Sequence, residues 1–277
     1  MARPVPLDVD TLRREVDEGL IDTVVVGITD MQGRMQGKRI HADHFVNDTL
    51  AHGTEGCNYL LAVDIDMNTV PGYAMSSWDS GYGDMVMRPD LSTLHRIPWQ
   101  EGAVGVLCDV LWEDGSDVAA SPRQVLRRQI DRLADAGMAA FVGTELEFIV
   151  FLDSYEEAWE SGYRDLTPAN LYNVDYSILG GARVEPLLRR IRLGMAGAGL
   201  EVESVKGECN FGQHEIAFKY NEALVTCDRH TVYKTGAKEI AAQEDVSLTF
   251  MAKYNEREGN SCHIHLSFRG LDGSMVM

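Results

Sequence analysis

The sequence predicts an α+β protein. Short β-rich runs dominate as far as about residue 115, amphipathic helical segments follow, and further strands return between and after those helices. No clean βαβ alternation links them, which argues against a doubly wound parallel sheet. At 277 residues the chain is long enough for one large or two modest domains. Turn residues and a helix start signal at 115–121 place the boundary there, giving a strand-rich domain over 1–115 and a second over 116–277.

The elements follow in order. Asp10 or Thr11 can cap a short helix in which Leu12, Val16 and Leu20 recur at helical spacing. TVVVGIT at 23–29 is a β-rich run, and turn residues Asp30 to Gly33 lead into a second strand near 34–40, so a hairpin is expected. Residues 70–100 are rich in Gly, Pro and Ser and hold Tyr73, Trp78, Tyr82 and Trp99, and so read as a long functional loop. VGVLCDVLW at 104–112 is a strand. Ser121 before Pro122 opens a helix with Leu126, Ile130 and Leu133 on one face and Gly137 as its stop. A strand at 139–151, helices at about 184–197 and 224–243, and a strand at 247–253 complete the pattern.

Composition narrows the function. The formal net charge is −18, from 25 Lys+Arg against 43 Asp+Glu, spread along the chain; such a surface repels nucleic acid and anionic membrane, so neither is an expected partner. Five cysteines, odd in number and without CxxC spacing, read as reduced thiols. The N-terminus shows no basic stretch followed by an apolar run, and no 18-residue apolar segment occurs later. A cytoplasmic protein is expected. GxxxxGK[ST], GxGxxG and GxSxG are all absent from the sequence, so P-loop, Rossmann and nucleophile-elbow chemistry have no support.

Three segments carry ligand-type residues. In GTELEFIVF at 143–151, Glu145 and Glu147 sit at i and i+2 of a strand and project to one face, while Leu146, Phe148 and Val150 take the other. Two adjacent inward-facing carboxylates are costly unless a cation neutralises them. In GNSCHIHLSF at 259–268, His263 and His265 share a face in the same way. In KGECNFGQHE at 206–215, Glu208 and Glu215 differ by an odd number and would diverge on an uninterrupted strand; Gly212 permits a bulge or turn that brings them together. Taken singly, ExE reads as a solvent-facing pair and HxH as structural. Taken together, four glutamates and two histidines suit two or more hard divalent cations such as Mg²⁺ or Mn²⁺ rather than zinc.

In their order along the chain, GTELEF, KGECNFGQHEIAFKY and FMAKYNEREGNSCHIHLS resemble the glutamine synthetase family and its γ-glutamyl-amine ligase branch. The resemblance spans nearly the whole chain and implies a β-grasp-like N-terminal domain, with GDMVMRPD at 83–90, before a catalytic domain. It implies that Glu147, Glu208 and Glu215 hold one metal, and Glu145 and His263 a second. His265 and Ser267 would lie near the ATP phosphates, Tyr220 would stack on adenine, and Gly259 would face glutamate. The implied reaction activates the γ-carboxylate of glutamate as an acyl phosphate that an amine attacks, with ATP as co-substrate. A ring-like homo-oligomer is implied as well.

Departures from the family pattern refine the expectation. Family glutamine synthetases carry a DGSS run whose aspartate helps capture ammonium; the corresponding position is Val70, and no DGSS occurs between 60 and 84. An organic amine, such as a polyamine or ethanolamine, is therefore the favoured acceptor over ammonia. Glu258 stands where many relatives have asparagine, and Tyr254 where proline is usual. Met277 follows Ser267 by only ten residues, whereas family chains continue well beyond. A C-terminally truncated chain is expected, without the catalytic-loop glutamate and substrate-gripping arginines. The competing expectations are a non-catalytic metal- or nucleotide-binding regulatory protein and a kinase of guanidino compounds on the same fold.

Overall fold

The computed structural model describes residues 7–76 and 81–276; Trp78 and Met277 lie outside them. The chain divides into two compact units, Met1–Gly137 and Met138–Met277.

In the first unit, helix α1 (Val9–Asp17) begins two residues earlier than the sequence suggested. Asp8 is the cap, its carboxylate accepting the Thr11 N–H at 2.8 Å. Leu12 and Val16 are buried, but the helix ends before Leu20, which is exposed. The hairpin is present: β1 (Thr23–Thr29) pairs antiparallel with β2 (Met35–His41). Its turn is built on buried Asp30, whose carboxylate accepts the N–H groups of Gln32 and Arg34 and the Arg34 guanidinium. Two short helices, α2 (Ala42–His44) and α3 (Leu50–His52), flank a π-helical turn and lead to β3 (Thr54–Cys57).

Within 70–100 the structure corrects the expectation of one long loop. β4 (Asp84–Pro89) and β5 (His95–Arg96) interrupt it, because Met85 and Met87 alternate into the core with no exposure. β6 (Ala103–Leu111) then lies at the sheet centre, in the order β2-β1-β6-β4-β3 with β5 also on β6. The β1–β6 pair is parallel; the others are antiparallel. Leu12, Val16, Val24, Val26, Phe45, Met85, Met87, Val104 and Val106 form one core beneath α1.

Helix α4 (Pro122–Asp135) follows Ser121 as expected, with proline in its first turn. It clusters with the first unit, and the compact units part at 137/138. The reason is ionic. Arg123 pairs with Asp90 at 2.7 Å and with Asp109, and Arg127 with Asp90 at 2.6 Å and Asp109 at 3.0 Å.

The second unit is organised on β7 (Met138–Phe151), a 14-residue strand. After it come α5 (Tyr155–Glu160), started by a Ser154/Glu157 capping box, then α6 (Ile178–Gly181) and α7 (Glu185–Gly197). β8 (Val202–Gly207), β9 (Gln213–Phe218), β10 (Asn221–Glu222), α8 (Ala223–Gln243), β11 (Ser247–Thr249) and β12 (Cys262–Gly270) complete it. The sheet runs β10-β7-β9-β8, and β11 and β12 also pair with β7. Leu146, Phe148 and Val150 turn inward, where Phe148, Phe218, Tyr233 and Phe250 pack ring against ring. The strand expected at 247–253 stops at Thr249, because the Asn260 side chain donates to the Thr249 and Met251 carbonyls that a ladder would need. No helix among the described residues is long and apolar enough to cross a membrane.

Candidate functional site

β7 is the axis of the site. On one edge β9 sets Glu215 directly opposite Glu147, and β8 sets Lys206 opposite Glu215. On the other edge β12 sets His263 opposite Glu145 and His265 opposite Gly143. Directly opposed residues share a face, so Lys206, Glu215, Glu147, Glu145 and His263 form one polar surface on the sheet.

Glu208 joins them through the turn that the sequence anticipated. Gly212 has φ +71°, a left-handed conformation that glycine adopts without strain, and a Cβ there would meet the Val150 carbonyl oxygen at 2.5 Å. The turn closes with the Glu208 N–H on the Gln213 carbonyl at 2.9 Å and the Gln213 N–H on the Asn210 carbonyl at 3.1 Å. As a result, carboxylate oxygens of Glu147, Glu208 and Glu215 lie within 4.8 Å of one another. The three residues are only 7%, 8% and 6% exposed.

Three like charges at this separation and burial repel one another strongly unless a cation is shared. Burial pushes the Glu215 carboxyl above its usual range; the Lys206 charge opposes this, and Glu145 and Glu147 add to it. The trio contains only carboxylate oxygens, a hard donor set that fits a Mg²⁺- or Mn²⁺-type ion. Asp175 and Cys209 form a second trio with Glu208 at its rim.

Glu145 is bracketed by both histidines, at 3.2 Å from His263 Nδ1 and 3.3 Å from His265 Nε2. Burial works to raise its carboxyl, but hydrogen bonds from the two rings outweigh that and hold it below the usual range. His265 thus stands as close to Glu145 as His263 does. It also lines a cavity of ≈ 320 Å³ with Tyr220, Ser267, Phe141 and Glu203. A larger cavity of ≈ 890 Å³ opens over the carboxylates and reaches Tyr176, Ile178 and Leu188. Gly259 lies in the loop before β12. Its carbonyl accepts from the Gln213 side chain at 2.9 Å, and a Cβ there would meet the Ala252 carbonyl oxygen at 2.3 Å.

Sequence reasoning missed three residues that the structure brings in. Gln213, 1% exposed, donates to Glu147 at 2.8 Å and to the loop at Gly259 and Asn260, tying the carboxylate to that loop. Lys206 is ion-paired to Glu208. The Arg269 guanidinium stacks on Phe141 at 4.4 Å and donates to the Tyr220 hydroxyl at 3.0 Å. Strand alternation from His265 through Ser267 would have found Arg269, and the same i, i+2 spacing sets Lys206 beside Glu208; nothing local marked Gln213. Tyr254, unusual for its position, packs on Phe151 with ring centroids 4.8 Å apart.

Paired carboxylates on adjacent strands, a histidine pair beside them and a neighbouring cavity make a donor set able to hold divalent cations next to a ligand-sized space. The family model for the glutamine synthetase catalytic domain matches residues 119–277, and the chain belongs to this family of ATP- and divalent-metal-dependent ligases. It is 69% identical to the gamma-glutamylethanolamide synthetase GlnA4 of Streptomyces coelicolor, over 99% of this chain and 60% of that protein. It is 35% identical to a glutamate–isopropylamine ligase of a Pseudomonas species, over 96% of this chain and 58% of the relative. A solved GmaS/ADP complex superposes with a TM-score of 0.79 at 26% identity, covering 95% of this chain and 57% of that one. The chain therefore spans about three-fifths of the length of these two curated relatives.

Proposed function

We propose that this chain carries the metal- and nucleotide-binding part of a ligase that joins an organic amine to the γ-carboxylate of glutamate, with ATP as co-substrate. The observation that carries the reading is the Glu147–Glu208–Glu215 trio, with carboxylate oxygens within 4.8 Å of one another beside the Glu145–His263 pair. We assign the trio to one Mg²⁺ or Mn²⁺ ion, and Glu145 and His263 to a second. When bound, such ions neutralise phosphate charge as a phosphoryl group moves to glutamate.

The chain's own residues then position the reactants. We assign the ≈ 320 Å³ cavity to the nucleotide, with Tyr220 against the base and His265 and Ser267 near the phosphates; the likeness of the chain's fold to that of a GmaS/ADP complex supports a nucleotide ligand. Gly259 is assigned to face the glutamate substrate. An ethanolamine-like acceptor is favoured by the 69% identity to a gamma-glutamylethanolamide synthetase and by Val70 in place of an ammonium-capturing aspartate. We further read the first unit as β-grasp-like, with the sequence division at 1–115 and 116–277, and the protein as a cytoplasmic ring-like homo-oligomer.

The test is metal-dependent ADP release with glutamate and a panel of ammonium, ethanolamine and putrescine. Release requiring both glutamate and ethanolamine, and lost in Glu147→Ala and Glu215→Ala, is expected. A strong preference for ammonium over every organic amine would overturn the acceptor assignment. Mn²⁺ binding without release, abolished by the same substitutions, would favour a regulatory metal-binding protein.

A further inference from the structure

The carboxylate trio holds an ammonium group of its own. Lys206 lies opposite Glu215 across the β8–β9 ladder, and its Nζ is ion-paired to Glu208 Oε1. The same Nζ sits 4.8 Å from the centroid of the Tyr176 ring. Tyr176 reaches this place from a left-handed backbone conformation, φ +53°, that is sterically unfavourable for a bulky residue and marks a local constraint. Lysine, tyrosine and the carboxylates all line the ≈ 890 Å³ cavity.

An aromatic face attracts a cation through its quadrupole, more weakly than a carboxylate does but without competing for the carboxylate's lone pairs. Lys206 therefore has two neighbours at once: Glu208, where it occupies one oxygen of a carboxylate that a metal would use, and the Tyr176 ring, which makes no demand on that carboxylate. A divalent ion entering the trio and an ammonium on Glu208 repel each other and draw on the same carboxylate.

We propose that Lys206 is a built-in counter-cation that offsets part of the charge of the Glu147–Glu208–Glu215 trio in the metal-free protein and competes with the divalent ion for Glu208, with the Tyr176 ring receiving the displaced ammonium. The inference rests on the assignment of that trio as a metal site. It makes the metal-free fold tolerable at the cost of metal affinity.

The experiment is Mn²⁺ titration by calorimetry, paired with thermal melts in chelator and in Mn²⁺, on the purified chain. Lys206→Met keeps an unbranched chain of similar length and removes the charge. It is expected to bind Mn²⁺ about tenfold tighter, to melt lower in chelator, and to show a larger Mn²⁺-induced rise in Tm. Lys206→Arg, with its charge kept, should stay near wild type. Tyr176→Leu should bind Mn²⁺ more weakly, and this loss should vanish when combined with Lys206→Met. Mn²⁺ binding that Lys206→Met leaves unchanged or weakens would overturn the proposal while leaving the metal site standing. Should Lys206→Met fail to fold even with Mn²⁺ present, an unaltered affinity in Tyr176→Leu would overturn it instead. Wild-type protein that binds no Mn²⁺, or binds it equally after Glu208→Gln and Glu215→Gln, would overturn the metal assignment and the inference together.

Discussion

Replacing Gln213 by leucine should unfasten the site from below. The Gln213 amide donates to Glu147 Oε2 at 2.8 Å, to the Gly259 carbonyl at 2.9 Å and to Asn260 Oδ1 at 3.0 Å, and its oxygen accepts the Asn210 N–H at 2.8 Å. Leucine fills a similar volume, so the loss is polar. The hydrogen bond to a charged carboxylate is worth about 1.5–3 kcal/mol, and leaving the buried Asn210 N–H unpaired costs about 1–3 kcal/mol. A destabilisation of about 2.5–6 kcal/mol follows. At roughly 3 °C per kcal/mol for a unit of this size, Tm should fall by roughly 8–18 °C. Circular dichroism melts in chelator measure it. Gln213→Glu, similar in shape, loses the donors and adds a fourth carboxylate, so it should melt at least as low in chelator and recover part of the loss in Mn²⁺. A Gln213→Leu chain melting within about 2 °C of wild type would refute the view that this amide ties the Glu147 carboxylate to the 259–261 loop.

Further outcomes follow from other positions. Gly212→Ala places a Cβ 2.5 Å from the Val150 carbonyl oxygen at φ +71°, so it should cost about 2–4 kcal/mol and weaken Mn²⁺ binding by moving Glu208 away from Glu215; denaturant melts and calorimetry report the two effects. Burial, then the nearby Lys234 charge, lowers the His230 ring from 6.5 to about 4. The fold therefore favours the neutral ring: its stabilisation is complete above pH 6.5 and is lost progressively as pH falls towards 4, at up to about 1.4 kcal/mol per pH unit. Chemical denaturation of wild type and His230→Gln between pH 7 and 5 should show a shallower pH slope in the variant. Burial holds the Cys108 thiol up at about 12, whereas Cys262 is exposed. An alkylating reagent at pH 8 should label Cys262 long before Cys108, read by mass spectrometry.

Some of this molecule follows from the sequence alone, because strand alternation and turn chemistry are local. Period two puts Glu145 with Glu147 and His263 with His265 before any partner is known. Glycine at 212 licenses the turn that joins Glu208 to Glu215, and an Asx-type residue followed by apolar spacing announces α1 even where the cap is misplaced by two. The Met85–Met87 alternation of β4 was equally visible but was outweighed by the Gly and Pro around it. The extent of β11 was not visible, because it depends on Asn260 reaching back to two carbonyls from eleven and nine positions away. Nor was the placement of α4, which ion pairs to Asp90 and Asp109 decide.

Only the tertiary structure chose the partners of each carboxylate. Register sets Glu147 opposite Glu215 and His263 opposite Glu145. A one-residue slip would turn every one of these side chains to the other face, and nothing within a single strand encodes that choice. Gln213 and Arg269 enter the site for the same reason, each acting on a residue brought near by strand pairing, whereas Lys206 meets Glu208 only two positions along the chain. The sequence by itself determined which groups could bind a cation and which strand faces they share. The structure decided which of those groups meet, because hydrogen-bonded register and buried packing depend on the whole sheet at once.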